Sequence, residues 1–110
     1  MIAGALTLGG CGDSGKSYST AADLAKAAGC TGYSKQDPEM YAQEEGSCQI
    51  DGKDIYVRTF ADATALDHWT TVAKAAGASG YTGAGATWNL TGDDKAAVEK
   101  GAKAAGGELK

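Results

Sequence analysis

The stretch Gly46-Ser47-Cys48-Gln49-Ile50-Asp51-Gly52-Lys53-Asp54-Ile55-Tyr56-Val57-Arg58-Thr59-Phe60 decides the fold. Asp51-Gly52 is a two-residue turn signal flanked by β-branched and aromatic residues, so the stretch reads as a β-hairpin. A two-residue loop pairs Ile50 with Lys53 and sets Cys48 opposite Ile55. A longer loop pairs Ile50 with Ile55 and sets Cys48 opposite Val57. Strand parity is the same in both. Cys48, Ile50, Ile55 and Val57 share one face, and Gln49, Tyr56 and Arg58 share the other. The first set is the core face, so Cys48 points toward whatever packs on the hairpin.

Downstream, Asp62 caps a helix to about Ala76, which Gly77 ends. Leu66, Trp69, Val72, Ala73 and Ala76 form its apolar stripe. Thr64, Asp67, Thr71 and Lys74 form its wet face, and His68, the chain's one histidine, falls between them. With no second histidine and no activated nucleophile, no catalytic triad can be assembled. Gly77 to Gly85 reads as a glycine-rich connection without dinucleotide-binding spacing. Ala86 to Leu90 reads as a third strand. Asp93 or Asp94 then starts a last helix with Val98, Gly101, Ala102 and Ala105 inward, and Gly106-Gly107 ends it.

Upstream, Thr20-Ala21-Ala22-Asp23 matches a capping box. A helix follows to about Ala28, with Ala21, Leu24 and Ala28 on one face and Gly29 as its stop. Thr31 to Glu45 is the least regular part. Asp37-Pro38-Glu39 suggests one short helical turn, and Glu39, Glu44 and Glu45 read as a solvated acidic loop without metal-ligand spacing. The expected fold is α+β: a small, mainly antiparallel three-stranded sheet with helices packed on one face, in the order α-β-β-α-β-α. Were the third strand parallel to the second, the 62–76 helix would be a right-handed crossover between them. Residues 20–110 make one domain.

The chain has 110 residues, enough to bury ~65% of its unfolded surface. With 17 Gly but only one Phe and two Trp, its core must rely on closely packed Ala. A net charge of −4 argues against a nucleic-acid partner. No run of 18 apolar residues spans a membrane as a helix.

The N-terminal stretch admits two readings. Met1 to Gly10 is small, apolar and uncharged, like the apolar region of an export signal, although no Lys or Arg precedes it. Leu8-Gly9-Gly10-Cys11 resembles a bacterial lipobox, and the chain is similar to small Ala/Gly-rich lipoproteins of actinobacteria. That resemblance implies cleavage before Cys11, with 1–10 the signal remnant and 11–19 a flexible tether. It also implies a diacylglyceryl group on the Cys11 sulfur and a location on the outer face of the plasma membrane. The alternative runs from Gly10 to Ser17, Gly-x-x-x-x-Gly-Lys-Ser, a formal phosphate-binding loop. There Lys16 would reach the outer phosphates and Ser17 would hold Mg²⁺. Against it, Ile2 to Leu8 is a poor strand, and no apolar strand ending in Asp follows.

Lipid on Cys11 leaves Cys30 and Cys48 as an even pair. In an oxidising compartment they are expected to bridge, closing a loop worth about 3 kcal/mol. The other reading is two reduced thiols packed as small apolar groups. The functional expectation is a non-enzymatic binding or interaction module, without cofactor, tethered to the membrane through Cys11. It would meet an envelope protein or a small ligand. Tyr56, Arg58 and Tyr81 are the candidate contact surface; alternatively they simply cover the sheet.

Overall fold

In a computed structural model, residues 17–77 and 79–110 are described. Cys11, the lipobox and Gly10–Lys16 lie outside them. The hairpin adopts the shorter register, Ile50 opposite Lys53 and Cys48 opposite Ile55. Asp51 and Gly52 both take positive φ, 53° and 77°. That is the two-residue turn whose twist matches the strands it joins.

The hairpin strands, β2 (Glu44–Ile50) and β3 (Lys53–Thr59), follow α1 (Ala21–Ala27) and β1 (Thr31–Gln36). After them come α2 (Ala63–Ala75), β4 (Tyr81–Ala84), β5 (Trp88–Gly92), α3 (Lys95–Ala104) and β6 (Glu108–Leu109). The fold is α+β. The six strands form one sheet in the order β1-β2-β3-β5-β4-β6, each neighbouring pair antiparallel.

The expected three strands are therefore six. Thr31–Glu45, expected to be irregular, holds β1 and the start of β2. No helical turn forms at Asp37–Glu39. The chain reverses at Met40-Tyr41 instead, with Ala42 N donating to Glu39 O at 3.0 Å and Met40 at φ 51°. The glycine-rich connection contains β4, where Gly83 has a reason: a Cβ there would sit 2.5 Å from the Ala102 Cβ of α3.

The helix ends match the sequence. Thr20, Asp62 and Asp94 are N-caps, their side chains accepting from the backbone N–H three residues on. Gly29, Gly77 and Gly106 take positive φ just past the three ends. Cap chemistry is local, so it is readable locally.

Helix placement departs from expectation. Glu45, Arg58, Asn89 and Ala84 form one row across the sheet, and Gly46, Val57, Leu90 and Gly83 form the next. The second row faces α1 and α3, with Leu24, Ile50, Ile55, Trp88 and Val98 in the main core. The first row faces α2, whose Leu66 and Trp69 make a separate small cluster with Phe60. The helices thus lie on both faces rather than one.

Connection handedness accounts for this. β3–α2–β4 and β5–α3–β6 each step over one strand in the same lateral direction. Since β3 and β5 run oppositely, right-handed crossovers put α2 and α3 on opposite faces. β4, reached through α2, runs parallel to β3, and β5 pairs with β3 antiparallel. Cys30, just past α1, bridges Cys48 on β2, with Cα atoms 5.6 Å apart.

Candidate functional site

Arg58 sits on β3, facing α2. Strand alternation puts it there, because its neighbours Val57 and Thr59 point the other way. Six strands and α2 then bury it, leaving its side chain 9% exposed. The expectation of Arg58 on an open contact surface is corrected: α2 covers it. Trp69, one turn beyond Leu66 on α2, lies over the guanidinium, with Cζ 4.6 Å from the ring centroid. Phe60 meets the same indole edge-on, at 6.5 Å between ring centres.

Polar partners come from both neighbouring strands. Nη1 of Arg58 donates to Thr91 Oγ1 at 3.0 Å and, at 3.5 Å, to Asn89 Oδ1. Nε lies 3.4 Å from Glu45 Oε1, an ion pair without hydrogen-bond alignment. The sequence places Glu45 in a solvated loop. It is instead buried and accepts from the Glu39 N–H at 3.3 Å. Glu44 also has a structural task, accepting from the Ala21 N–H at 2.9 Å.

Burial holds the Arg58 pKa below its ordinary value, while the Glu45 and Glu39 carboxylates act against that shift. Desolvation is therefore only partly offset by pairing. Arg58 Nε, Asn89 Nδ2 and Thr59 Oγ1 are buried without hydrogen-bond partners among the described residues. Such groups cost stability, and two of them, Arg58 Nε and Asn89 Nδ2, belong to the α2 face, while Thr59 Oγ1 belongs to the other.

Beside Arg58 lies a cavity of about 780 Å³ between α2 and the sheet. Leu66, Trp69 and Ala73 line it from α2, and Thr82, Ala84 and Thr91 from the strands. Its size falls among small-molecule sites, ~300–1,000 Å³.

The three expected surface residues do not form one patch. Tyr81 lines the cavity with Arg58. It pairs with Gly92, which pairs with Ile55, so its strand position is out of phase with Arg58. Tyr56 is in phase with Arg58 but exposed to solvent. His68 is exposed, its ring 5.0 Å from Tyr41.

Sequence reasoning missed Glu45, Asn89 and Thr91 as partners of Arg58. Their signal was parity: once the strands are paired, all three fall on the Arg58 face. Among the described residues no group of three His, Cys, Asp or Glu is placed to hold a metal ion. Among them, too, no helix is long and apolar enough to cross a membrane. Ser17, the last residue of the phosphate-loop motif, precedes the N-cap Thr20, so α1 opens later than a helix that begins at Lys-Ser. Comparison with known protein families, curated proteins and solved structures finds no match.

Proposed function

We propose that this protein is a non-enzymatic binding module, held at the outer face of the plasma membrane by lipid on Cys11, that takes a small molecule between α2 and the sheet. One observation carries the binding part: a buried, incompletely partnered guanidinium on the wall of a cavity large enough for a ligand. The anchor rests on the Leu8–Cys11 lipobox and agrees with the Cys30–Cys48 bridge, since disulfides persist in oxidising compartments.

The test has two arms. Labelled fatty acid fed to a bacterium expressing the full chain should enter the protein, and Cys11→Ser should abolish the label. A soluble, label-free Cys11 chain defeats the anchor. Independently, a small-molecule library screened by thermal shift should yield compounds that raise Tm. Ala73→Trp, which fills the cavity from α2 without touching Arg58, should remove the shift. Ligands that still bind Ala73→Trp sit elsewhere and defeat this site.

A further inference from the structure

We propose that the ligand is a monocarboxylate with a flat apolar body, and that Arg58 is the residue that holds its carboxylate. The inference rests on the binding-module reading and names the ligand class for that same cavity.

Donor count makes the first argument. A guanidinium offers five N–H donors in a fixed fork. Arg58 directs Nη1 at Thr91 and Asn89, and its Nε faces Glu45 without forming a hydrogen bond. Nε is the guanidinium nitrogen that is buried without a hydrogen-bond partner among the described residues. The side chain is nonetheless nine-tenths buried and lines the cavity. Part of the fork therefore makes no hydrogen bond in a place where water is scarce. A carboxylate oxygen entering the cavity would accept from it, and a hydrogen bond between two charged groups is the strongest kind available.

Charge sets the valence. Glu45 already neutralises Arg58. The other charged side chains on the wall are Lys74, Lys110 and Asp67, one positive charge in excess. These three are exposed and screened, so the buried pair decides: one carboxylate can meet the fork, whereas a phosphate dianion would set a second negative charge beside buried Glu45. The rest of the wall sets the body of the ligand. Trp69 covers the guanidinium, and Leu66, Ala73 and Ala84 continue that surface. A planar hydrocarbon attached to the carboxylate would lie along the indole and these side chains and exclude water from the charge pair.

Calorimetric titration of the full chain tests this with 2-naphthoate, its neutral amide 2-naphthamide, and inorganic phosphate. Naphthoate should bind, quenching emission from Trp69 on the wall more than from Trp88, which is buried in the main core. The amide should bind at least about tenfold more weakly, the worth of one charge-assisted contact. Phosphate should not compete.

Amide binding equal to naphthoate overturns the carboxylate assignment and leaves the binding module standing. Competition by phosphate likewise overturns the ligand class. Absence of binding by both aromatic probes overturns the inference, while the library screen with Ala73→Trp decides the module separately. The double variant Arg58→Gln/Glu45→Gln removes the fork without orphaning a charge. It should bind naphthoate no better than the amide, and unchanged affinity overturns the role of Arg58. The acid–amide comparison uses the native chain, so the test holds even if that variant fails to fold.

Discussion

The two faces of the sheet are built from alternate residues of the same strands, yet they are packed by opposite means. On the α1 and α3 side the residues are apolar, and Gly83 and Gly101 bring the helix close. A Cβ on Gly101 would meet Ile50 Cδ1 at 2.6 Å, so side chains of the sheet pack directly on the α3 backbone. On the α2 side the central row is Glu45, Arg58 and Asn89, and the helix rests on an indole and a leucine beside open space. The first face is closed by small residues and stabilises the fold. The second holds α2 off the sheet with large ones, and charge is kept under it at some cost. A chain with few large apolar residues has placed most of them on one side.

The strongest way to break this comparison is to remove one member of the buried pair. Arg58→Met would leave Glu45 buried without its cation, a loss of about 3–5 kcal/mol. Adding Glu45→Met should restore most of it, because neither charge is then orphaned. Urea unfolding of the three proteins checks this. If the double variant is as unstable as the single one, the pair is holding the fold and the α2 face is structural like the other.

On the closed face, the bridge should matter next most. Replacing Cys30 and Cys48 together by Ala should cost about 3 kcal/mol, mostly through the unfolded chain. Cys48 lies in the main core, and the bridge ties the end of α1 to the sheet. Ligand affinity should be unchanged, since neither cysteine lines the cavity. A shift in affinity by calorimetry would show that the two faces are coupled.

What the sequence revealed divides along the same line. The hairpin was legible because Asp51-Gly52 fixes the turn and parity fixes the faces. The helices were legible because Thr20, Asp62, Asp94 and three glycines mark their ends. β1 and β4 were not. Thr31-Gly-Tyr-Ser-Lys-Gln36 and Tyr81-Thr-Gly-Ala84 have no hydrophobic alternation, and β1 is an exposed edge. Their strand character comes from pairing with β2 and β5, which no local window contains. Arg58 was placed on the correct face, but its burial depended on which side α2 crosses. That follows from strand order, and strand order needed β4. The Cys30–Cys48 bridge came through because cysteine counting and parity together leave few partners.

A matched pair of truncations sharpens the comparison further. Leu24→Ala opens a hole where every neighbour is packed, and should cost about 2–5 kcal/mol. Leu66→Ala removes the same atoms beside an existing cavity, so fewer contacts are lost, and it should cost roughly 2 kcal/mol less. Denaturant midpoints measured with equal slopes give both values. Equal losses would mean that the space beside Leu66 closes around the side chain in solution, and the two faces would then be packed alike.

The smallest expected effect lies at the seam where the N-terminal segment joins the closed face. Tyr18 donates from its hydroxyl to the Ala105 carbonyl at 2.6 Å, and its ring meets Trp88 edge-on at 5.9 Å between centres. Ala105 caps the C-terminal end of α3, where carbonyls lack intrahelical partners. Tyr18→Phe keeps the ring and loses the bond, about 1 kcal/mol. Burial also raises the Tyr18 pKa, and burial followed by the Glu44 charge raises that of Tyr33. In the unfolded chain these phenols ionise near 10.0, before the folded ones do. Above that pH the unfolded state binds fewer protons, so stability falls as pH rises toward the folded values. The stabilisation is therefore complete at neutral pH and lost only on the alkaline side. Unfolding followed from about pH 9 to about pH 11 should show a shallower decline for Tyr18→Phe than for the native chain. Parallel declines would mean that the Tyr18 hydroxyl is free in solution, and that the segment leading to Cys11 is not fastened to α3 at this point.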